Sequence, residues 1–210
     1  MSYKLLGFGT ENVVSVVELA ILDSYDDALT AIDQQQASWD EARALARGEE
    51  YVPITTPAVS AENIHPGYLP SFIQTADQFK FYPLIAIVPD MIAKNPEDLL
   101  SDQLTVYGHS VTIHVMSRTD TNVEEDDAEG AQKQQEIVVR RVERMAEAML
   151  LFMKQHPDMR RMFGQDPSPT TARISEPWKF PVDDKKGDDF TFCSLGMEFQ
   201  IKNYSPPEEV

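Results

Sequence analysis

The sequence has a single cysteine, few basic residues and no long apolar run, and each shortage excludes a class of protein. Cys193 has no partner for an internal disulfide, which suits a reducing compartment. No stretch approaches the roughly 18 consecutive apolar residues that span a bilayer, and the segment Lys4-Leu5-Leu6 is too short for the apolar stretch of a secretory signal. We therefore expect a protein that is made and kept in the cytosol, with no membrane as a partner.

Basic residues are scarce enough to decide against one function. The 18 lysines and arginines face 35 aspartates and glutamates, which gives a formal net charge of -17 over 210 residues. Because nucleic-acid binding draws its affinity mainly from basic side chains that neutralise phosphates, this balance excludes a conventional DNA-binding role. An acidic surface is still useful where DNA must slide past without adhering. The composition, with 42% hydrophobic and 25% charged residues, is that of a globular protein.

Familiar catalytic motifs are missing as well. The sequence has neither a Gly-x-x-x-x-Gly-Lys-Ser/Thr phosphate loop nor a Gly-x-Ser-x-Gly nucleophile motif. His109 and His114 are five residues apart, which places them on opposite faces of a strand. The acidic run from Asp120 has Glu125 where a calcium loop needs glycine, and Cys193 opens a predicted strand, where burial is its usual fate. We expect no catalytic residue, no cofactor and no metal site, and predict that the protein is not an enzyme.

Two long stretches have the spacing of amphipathic helices. Residues 11–47 contain neither glycine nor proline, and apolar residues recur there every three or four positions. Thr10 can cap the start of this helix and Gly48 can end it, while the run Gln34–Gln36 leaves open whether it is one rod or two shorter helices. The second helix is predicted from about residue 131 to 156 and stops before Pro157.

Strand signals lie on both sides of the second helix. Residues 78–88 are rich in aromatic and β-branched side chains, with Pro89 as the boundary, and residues 104–107 form a short candidate. Residues 110–116 and 190–204 alternate between apolar and polar, as half-buried strands do, and residues 173–178 form one more candidate. Gly196, inside the last of the long strands, suggests a bulge or a close backbone approach.

Three further segments lack a regular period. Residues 49–78 contain four prolines and predict an extended arm, which docks on its own chain or on another subunit. Residues 120–129 hold six acids and predict an exposed loop, and residues 205–210 predict a mobile tail. The apolar residues of the arm that favour docking are Tyr68, Leu69, Phe72 and Ile73.

The order of these elements predicts an α+β fold in one domain, residues 1–210. We expect a mainly antiparallel sheet of about four strands, with both long helices packed on one face. Within it, residues 1–48 form the N-terminal helix region, 49–78 the proline-rich arm, 79–204 the sheet with the second helix, and 205–210 the tail.

This order of elements resembles the tail-terminator or tail-completion proteins in the neck of tailed bacteriophages. The resemblance rests on residues 81–89 (Phe-Tyr-Pro-Leu-Ile-Ala-Ile-Val-Pro), residues 111–115, the helix over 138–153 and the closing strand over 190–201. It implies a non-catalytic virion protein that assembles in the host cytoplasm into a ring of copies, commonly six. Such a ring ends the tail tube, joins it to the head-tail connector protein and leaves a channel for DNA. The tail tube protein and the connector are then its partners.

The resemblance, taken with the charge, selects two sets of residues. Acids facing a channel would keep phosphates from adhering, and basic side chains would meet acidic surface on the adjacent subunit. The candidate channel-lining acids are Asp120, Glu124, Glu125, Asp126, Asp127 and Glu129. The candidate subunit interface combines the four apolar arm residues with Arg140, Arg141, Arg144, Arg160 and Arg161.

Two other functions fit the same residues. A head-tail connector, stopper or tail-tube protein belongs to the same particle and has a similar pattern of elements. A cytosolic acidic adaptor or small-molecule-binding protein, with no place in a virion, would account equally well for the charge.

Overall fold

The fold is described from a computed structural model of the chain. The description covers residues 10–51, 53–66, 82–92, 108–119, 128–181 and 189–202. The predicted strand at residues 104–107 and the predicted tail at 205–210 lie outside these ranges.

The first helix, α1, spans Thr10–Arg47 as one element of 38 residues. The glutamines at 34–36 do not break it, so the single-rod alternative is the correct one. At 1.5 Å per residue, α1 is about 57 Å long. Gly48 ends the helix with a φ of 68°, and the amides of Gly48 and Glu49 donate to the carbonyls of Leu45 and Ala44. The predicted end at Gly48 is confirmed.

The described part of the predicted arm is partly regular. Residues 53–60 have no regular structure, a single 3-10 turn follows at Ala61–Asn63, and strand β1 spans Ile64–Pro66. The turn is capped because the amide and hydroxyl of Ser60 both donate to Asn63 Oδ1, at 2.7 and 2.8 Å. The arm prediction therefore missed a short strand, since three residues are too few to show an alternating pattern.

Within the described residues the sheet has six strands, where about four were expected. Its long members are β2 (Leu84–Ile92), β3 (Gly108–Arg118) and β6 (Asp189–Gln200). Two short strands, β4 (Thr171–Ile174) and β5 (Trp178–Pro181), both pair with β6. The order is β1-β2-β3-β6-β4, and all pairs are antiparallel except β1 with β2. The prediction of a mainly antiparallel sheet in an α+β fold is confirmed.

Several strand boundaries differ from the prediction, and among them β3 spans Gly108–Arg118 where 110–116 was predicted and β6 ends at Gln200 where 204 was predicted. Strand β2 begins at Leu84, and it continues through Pro89, which lies opposite Val111. Proline was taken as a boundary because it lacks an amide donor, yet β1 covers β2 only as far as Ile87, so on that side no described strand faces Pro89. The predicted strand over 173–178 is two strands, β4 and β5, separated by residues 175–177.

The second long helix, α2, spans Ala128–Gln155, three residues longer at its start than predicted. A short helix, α3, follows at Pro157–Phe163. His156 separates the two helices and caps α3, because its Nδ1 accepts from the amide of Asp158 at 3.2 Å. The proline that was expected to stop α2 therefore also opens the next helix, as a proline in the first turn can.

Both long helices pack on the same face of the sheet, as predicted. The main core joins apolar residues of α1 and α2 to the alternate positions of the strands that face them. These strand residues are Ile85, Ile87, Val111, Ile113, Val115, Met197 and Phe199, each no more than 1% exposed. The other face carries a second, smaller cluster formed by Leu84, Ala86 and Met116 with Tyr82.

Gly196 lies where β6 approaches the side chain of His114 on β3. A Cβ atom at residue 196 would stand 2.9 Å from Nδ1 and Cε1 of the His114 ring. The close approach predicted from the glycine is therefore present, and it leaves no space for a larger residue.

Candidate functional site

The most concentrated group of buried charges in the described part of the chain lies between α1, α2 and residues 53–60. Arg140, Arg141 and Arg144 of α2 reach toward α1 and toward this irregular segment. Arg141 is 6% exposed and Arg144 is 3% exposed, so both guanidinium groups depend on acceptors within the protein. We call these three residues the arginine cluster.

Arg144 is the centre of the arginine cluster. Its Nη2 lies 2.9 Å from Asp40 Oδ2, and its Nη1 lies 3.3 Å from Asp33 Oδ1. The same Nη1 donates to the carbonyl oxygen of Ile54 at 2.6 Å. One buried side chain therefore joins two acids of α1 to the backbone of the irregular segment, and charge-assisted bonds of this kind are the stronger class.

The two neighbouring arginines extend the same network. Arg141 Nε donates to the carbonyl oxygen of Thr55 at 2.9 Å, and its Nη1 donates to that of Arg118, at the end of β3, at 3.3 Å. Arg140 Nη1 lies 3.3 Å from Asp40 Oδ1, and its Nη2 lies 2.6 Å from Glu136 Oε1. Because Asp40 binds two arginines at once, its carboxylate connects the exposed part of the cluster with the buried part.

The irregular segment is also held directly by α1. Thr56 Oγ1 donates to Asp33 Oδ1 at 3.0 Å, and the amide of Val59 donates to Asp26 Oδ1 at 3.1 Å. Together with the arginine contacts, these bonds dock residues 54–59 onto their own chain. Of the two alternatives for the arm, docking on its own chain or on another subunit, the structure shows the first for residues 54–59.

The arginines that were predicted to meet an adjacent subunit fall into two groups. Arg141 and Arg144 bind acceptors of their own chain and are nearly inaccessible, so that prediction needs correction for both. The burial follows from their side of α2, which faces α1 and not solvent. Arg160 and Arg161 on α3 are exposed, with Arg160 donating to Gln165 Oε1 at 2.5 Å and Arg161 pairing with Asp158 at 3.0 Å. For these two, and for the quarter-exposed Arg140, the intersubunit role stays a prediction.

The remaining predicted site residues lie mostly outside the described ranges. Of the channel-lining set, only Glu129 is within them, in the first turn of α2, and its side chain is not described. The others outside are the acids Asp120, Glu124, Glu125, Asp126 and Asp127, and the arm residues Tyr68, Leu69, Phe72 and Ile73. Their proposed roles stay predictions.

A recess of about 130 Å³ opens beside the arginine cluster, between α1 and α2. The residues around it are polar or charged: Gln36, Asp40, Arg43, Arg140, Glu143, Arg144 and Glu147. Gln36 Nε2 donates to Glu147 Oε2 across it at 2.9 Å. Acids and bases alternate along these walls, and they include no serine, cysteine or histidine that could act as a nucleophile or base. The recess suits water and ion pairing between the helices.

Burial shifts the pKa of three potentially reactive groups outside the arginine cluster, Cys193, His114 and His65. Cys193 is 0% exposed, and burial raises the pKa of its thiol, which disfavours the reactive thiolate. Its predicted burial is confirmed. Burial also lowers the pKa of His114 and of His65 below the usual range. Within the described residues, no group of three or more His, Cys, Asp or Glu side chains is placed to hold a metal ion.

Two of the residues that organise the cluster, Asp33 and Asp40, were missed by the sequence analysis. A signal was present, because both continue the three-to-four residue spacing of Ile21, Tyr25 and Leu29 along the same face of the helix. Acids on the buried side of an amphipathic helix need cationic partners, and α2 supplies them.

The chain was also compared with known proteins. No protein-family model matches it, and no curated protein is significantly similar to it. Among the helices of the described chain, none combines the length and the apolar character that crossing a membrane requires.

Proposed function

We propose that this protein is a structural component of the bacteriophage neck, a ring of copies, commonly six in the family it resembles, that ends the tail tube and joins it to the head connector. The observation that carries the proposal is the arrangement of β2, β3, α2 and β6. These four elements contain residues 84–89, 111–115, 138–153 and 190–200, which are most of the residues on which the resemblance rests. The three strands are neighbours in the sheet, and α2 packs on β3 and β6.

The nature of the buried polar groups supports an architectural role. The arginine cluster fastens two helices and an irregular segment to one another, and its charges are matched by acids and carbonyls. Such a network fixes the relative position of its elements and holds no reacting group. A subunit of a ring needs this property, because its contacts with neighbours depend on a constant shape.

Net charge supports the channel in the proposal. Six copies of a chain with net charge -17 carry about 6 × -17 = -102 charges, so a ring of them repels a passing polyanion. Without specific basic contacts, DNA can move through such an opening without being held.

The first experiment measures assembly. Purified protein is studied by light scattering over a wide range of concentration, alone and with the tail tube protein, and by negative-stain electron microscopy. We expect a closed ring with a central opening. A strict monomer at high concentration, both alone and with the tube protein, would contradict the proposal and favour the acidic adaptor.

A second experiment tests the channel. Replacing the six acids of residues 120–129 by Asn or Gln is expected to slow DNA ejection while particles still assemble. A matched variant loses the same charge at exposed acids elsewhere: Asp27, Glu41, Glu49, Glu50, Glu62 and Glu176. Ejection at the normal rate from the first variant, in correctly assembled particles, would remove the channel role from the loop.

A further inference from the structure

Strand β4 is unusual because it buries none of its side chains. All four of its residues are exposed, and Ile174 is 43% exposed although it is a large apolar residue. Among the described strands, β6 is its one partner, and β4 lies at the end of the strand order. Within its own chain, β4 is therefore stabilised by its pairing with β6 and by little apolar burial.

The hydrogen bonds to β6 show which backbone groups of β4 face away from that strand. The amide of Ser175, just beyond β4, donates to the carbonyl of Ser194 at 2.8 Å. In an antiparallel pair, residues two apart point the same way, so Arg173 also faces β6. The amides of Ala172 and Ile174 then point away from β6, along an edge that no described strand covers. An edge of this kind is a template for another strand.

The charge around β4 differs in sign from that of the rest of the protein. Residues 157–175, from α3 through β4, contain three arginines and two aspartates, a net charge of +1. The remaining residues then carry -17 - 1 = -18. Since two copies of an acidic chain repel each other, a basic margin is the surface on which a second copy is attracted.

The same charges favour a head-to-tail contact between copies over an isologous one. In an isologous pair, Arg160, Arg161 and Arg173 of one copy would face the equivalent arginines of the other. In a head-to-tail pair, they face acidic surface on the neighbour. Head-to-tail contacts produce a ring when the rotation between copies closes.

We propose that the open edge of β4 pairs with a strand of a second copy of this chain, head to tail, so that the sheets of neighbouring subunits join around the ring. Ile174 then packs against the neighbour and the outward amides of β4 obtain acceptors. The proposal rests on the proposed ring and names the surface that forms it.

The test uses a proline at a position where it spares the pairing with β6. In the full-length chain, Ala172→Pro removes an amide that points outward, and Ala172→Ser is the matched control. Sedimentation velocity at equal concentrations is expected to show rings for the wild type and for Ala172→Ser. For Ala172→Pro, we expect the association constant to fall about tenfold or more, as for loss of a hydrogen bond at each interface. Its circular dichroism and thermal midpoint should stay close to those of the wild type.

A second variant keeps the test decisive if Ala172→Pro fails to fold. Arg173→Glu changes an exposed side chain and reverses the charge of the margin. It is expected to weaken association, with a smaller effect at high salt. Rings that form normally from either folded variant would overturn the inference and leave the proposed function standing. A wild type that remains monomeric would overturn both.

Discussion

The two halves of α1 are held in place by different kinds of contact. In the N-terminal half, residues 13–32, apolar side chains such as Val17 and Ile21 are buried against the sheet and α2. In the C-terminal half, residues 33–47, the side facing α2 carries Asp33, Gln36 and Asp40, and the contacts are ion pairs and hydrogen bonds. Apolar packing therefore holds the first half of α1, and ion pairs and hydrogen bonds hold the second.

The two halves of α1 should respond differently to substitution. Apolar packing is non-directional and tolerates small shifts, while an ion pair out of water needs its partner in place. The C-terminal half also shares its charges with residues 54–56, so it positions the segment that leads to β1. Loss of one charge there should disturb more than the helix itself.

The largest effect is expected from Arg144→Ala. The change leaves Asp33 and Asp40 without their buried partner and the Ile54 carbonyl without its donor, which we expect to lower the free energy of unfolding by about 3–5 kcal/mol. Urea denaturation followed by circular dichroism measures the change. Arg140→Ala is the control, because Arg140 is a quarter exposed and its loss should cost at most about 1 kcal/mol. Equal losses for the two variants would contradict the central role of Arg144.

In the other half of the helix, Ile21→Ala should cost about 3 kcal/mol, because it removes buried methyl groups and leaves a cavity. Ile21 is 2% exposed, whereas the adjacent Leu22 is 43% exposed, so Leu22→Ala provides the control. We expect the loss for Ile21→Ala to be the same at low and high salt, since no charge is involved. A strong salt dependence of that loss would show that the two halves are not held by different forces.

Tyr25 lies close to where the two kinds of contact meet. It is 1% exposed, and its hydroxyl donates to the carbonyl oxygen of Met145 in α2 at 2.9 Å. Burial, with Asp26 and Asp33 nearby, raises the pKa of Tyr25 above its usual range, so the hydroxyl keeps its proton. Tyr25→Phe removes only the hydrogen bond and should lower the free energy of unfolding by about 1–1.5 kcal/mol. An unchanged denaturation midpoint would show that this bond adds nothing to the apolar packing.

Long elements with a regular apolar pattern can be predicted from the sequence, whereas short strands cannot. The apolar half of α1 is evident from helical spacing, and β3 and β6 are evident from alternation, because each pattern continues over seven or more residues. Strand β1 and the separation of β4 from β5 were missed, since three or four residues show no period. Short strands are fixed by the neighbours with which they pair.

The candidate site was predicted on the correct helix but with the wrong partners. The three arginines of α2 stand close together in the sequence, yet the acids that bind Arg144 are 111 and 104 residues away along the chain. Asp33 and Asp40 resemble ordinary solvated acids of a helix surface. Only the fold brings them beside Arg144, so charge counting placed these arginines at a subunit interface.

The smallest effect is expected at the end of the electrostatic half, from Gly48→Ala. Gly48 has a φ of 68°, and a Cβ atom built on it would meet no heavy atom within 4 Å. The cost is therefore conformational alone, about 1 kcal/mol for alanine in the left-handed region. Gly48→Asn should cost less, because asparagine adopts this conformation more readily. Both losses are measured by urea denaturation.

Since Asp40 lies two turns before Gly48, we expect neither variant to change the effect of Arg144→Ala, and double variants should give additive losses. A clear departure from additivity would mean that the last turns of α1 and the arginine cluster form one unit.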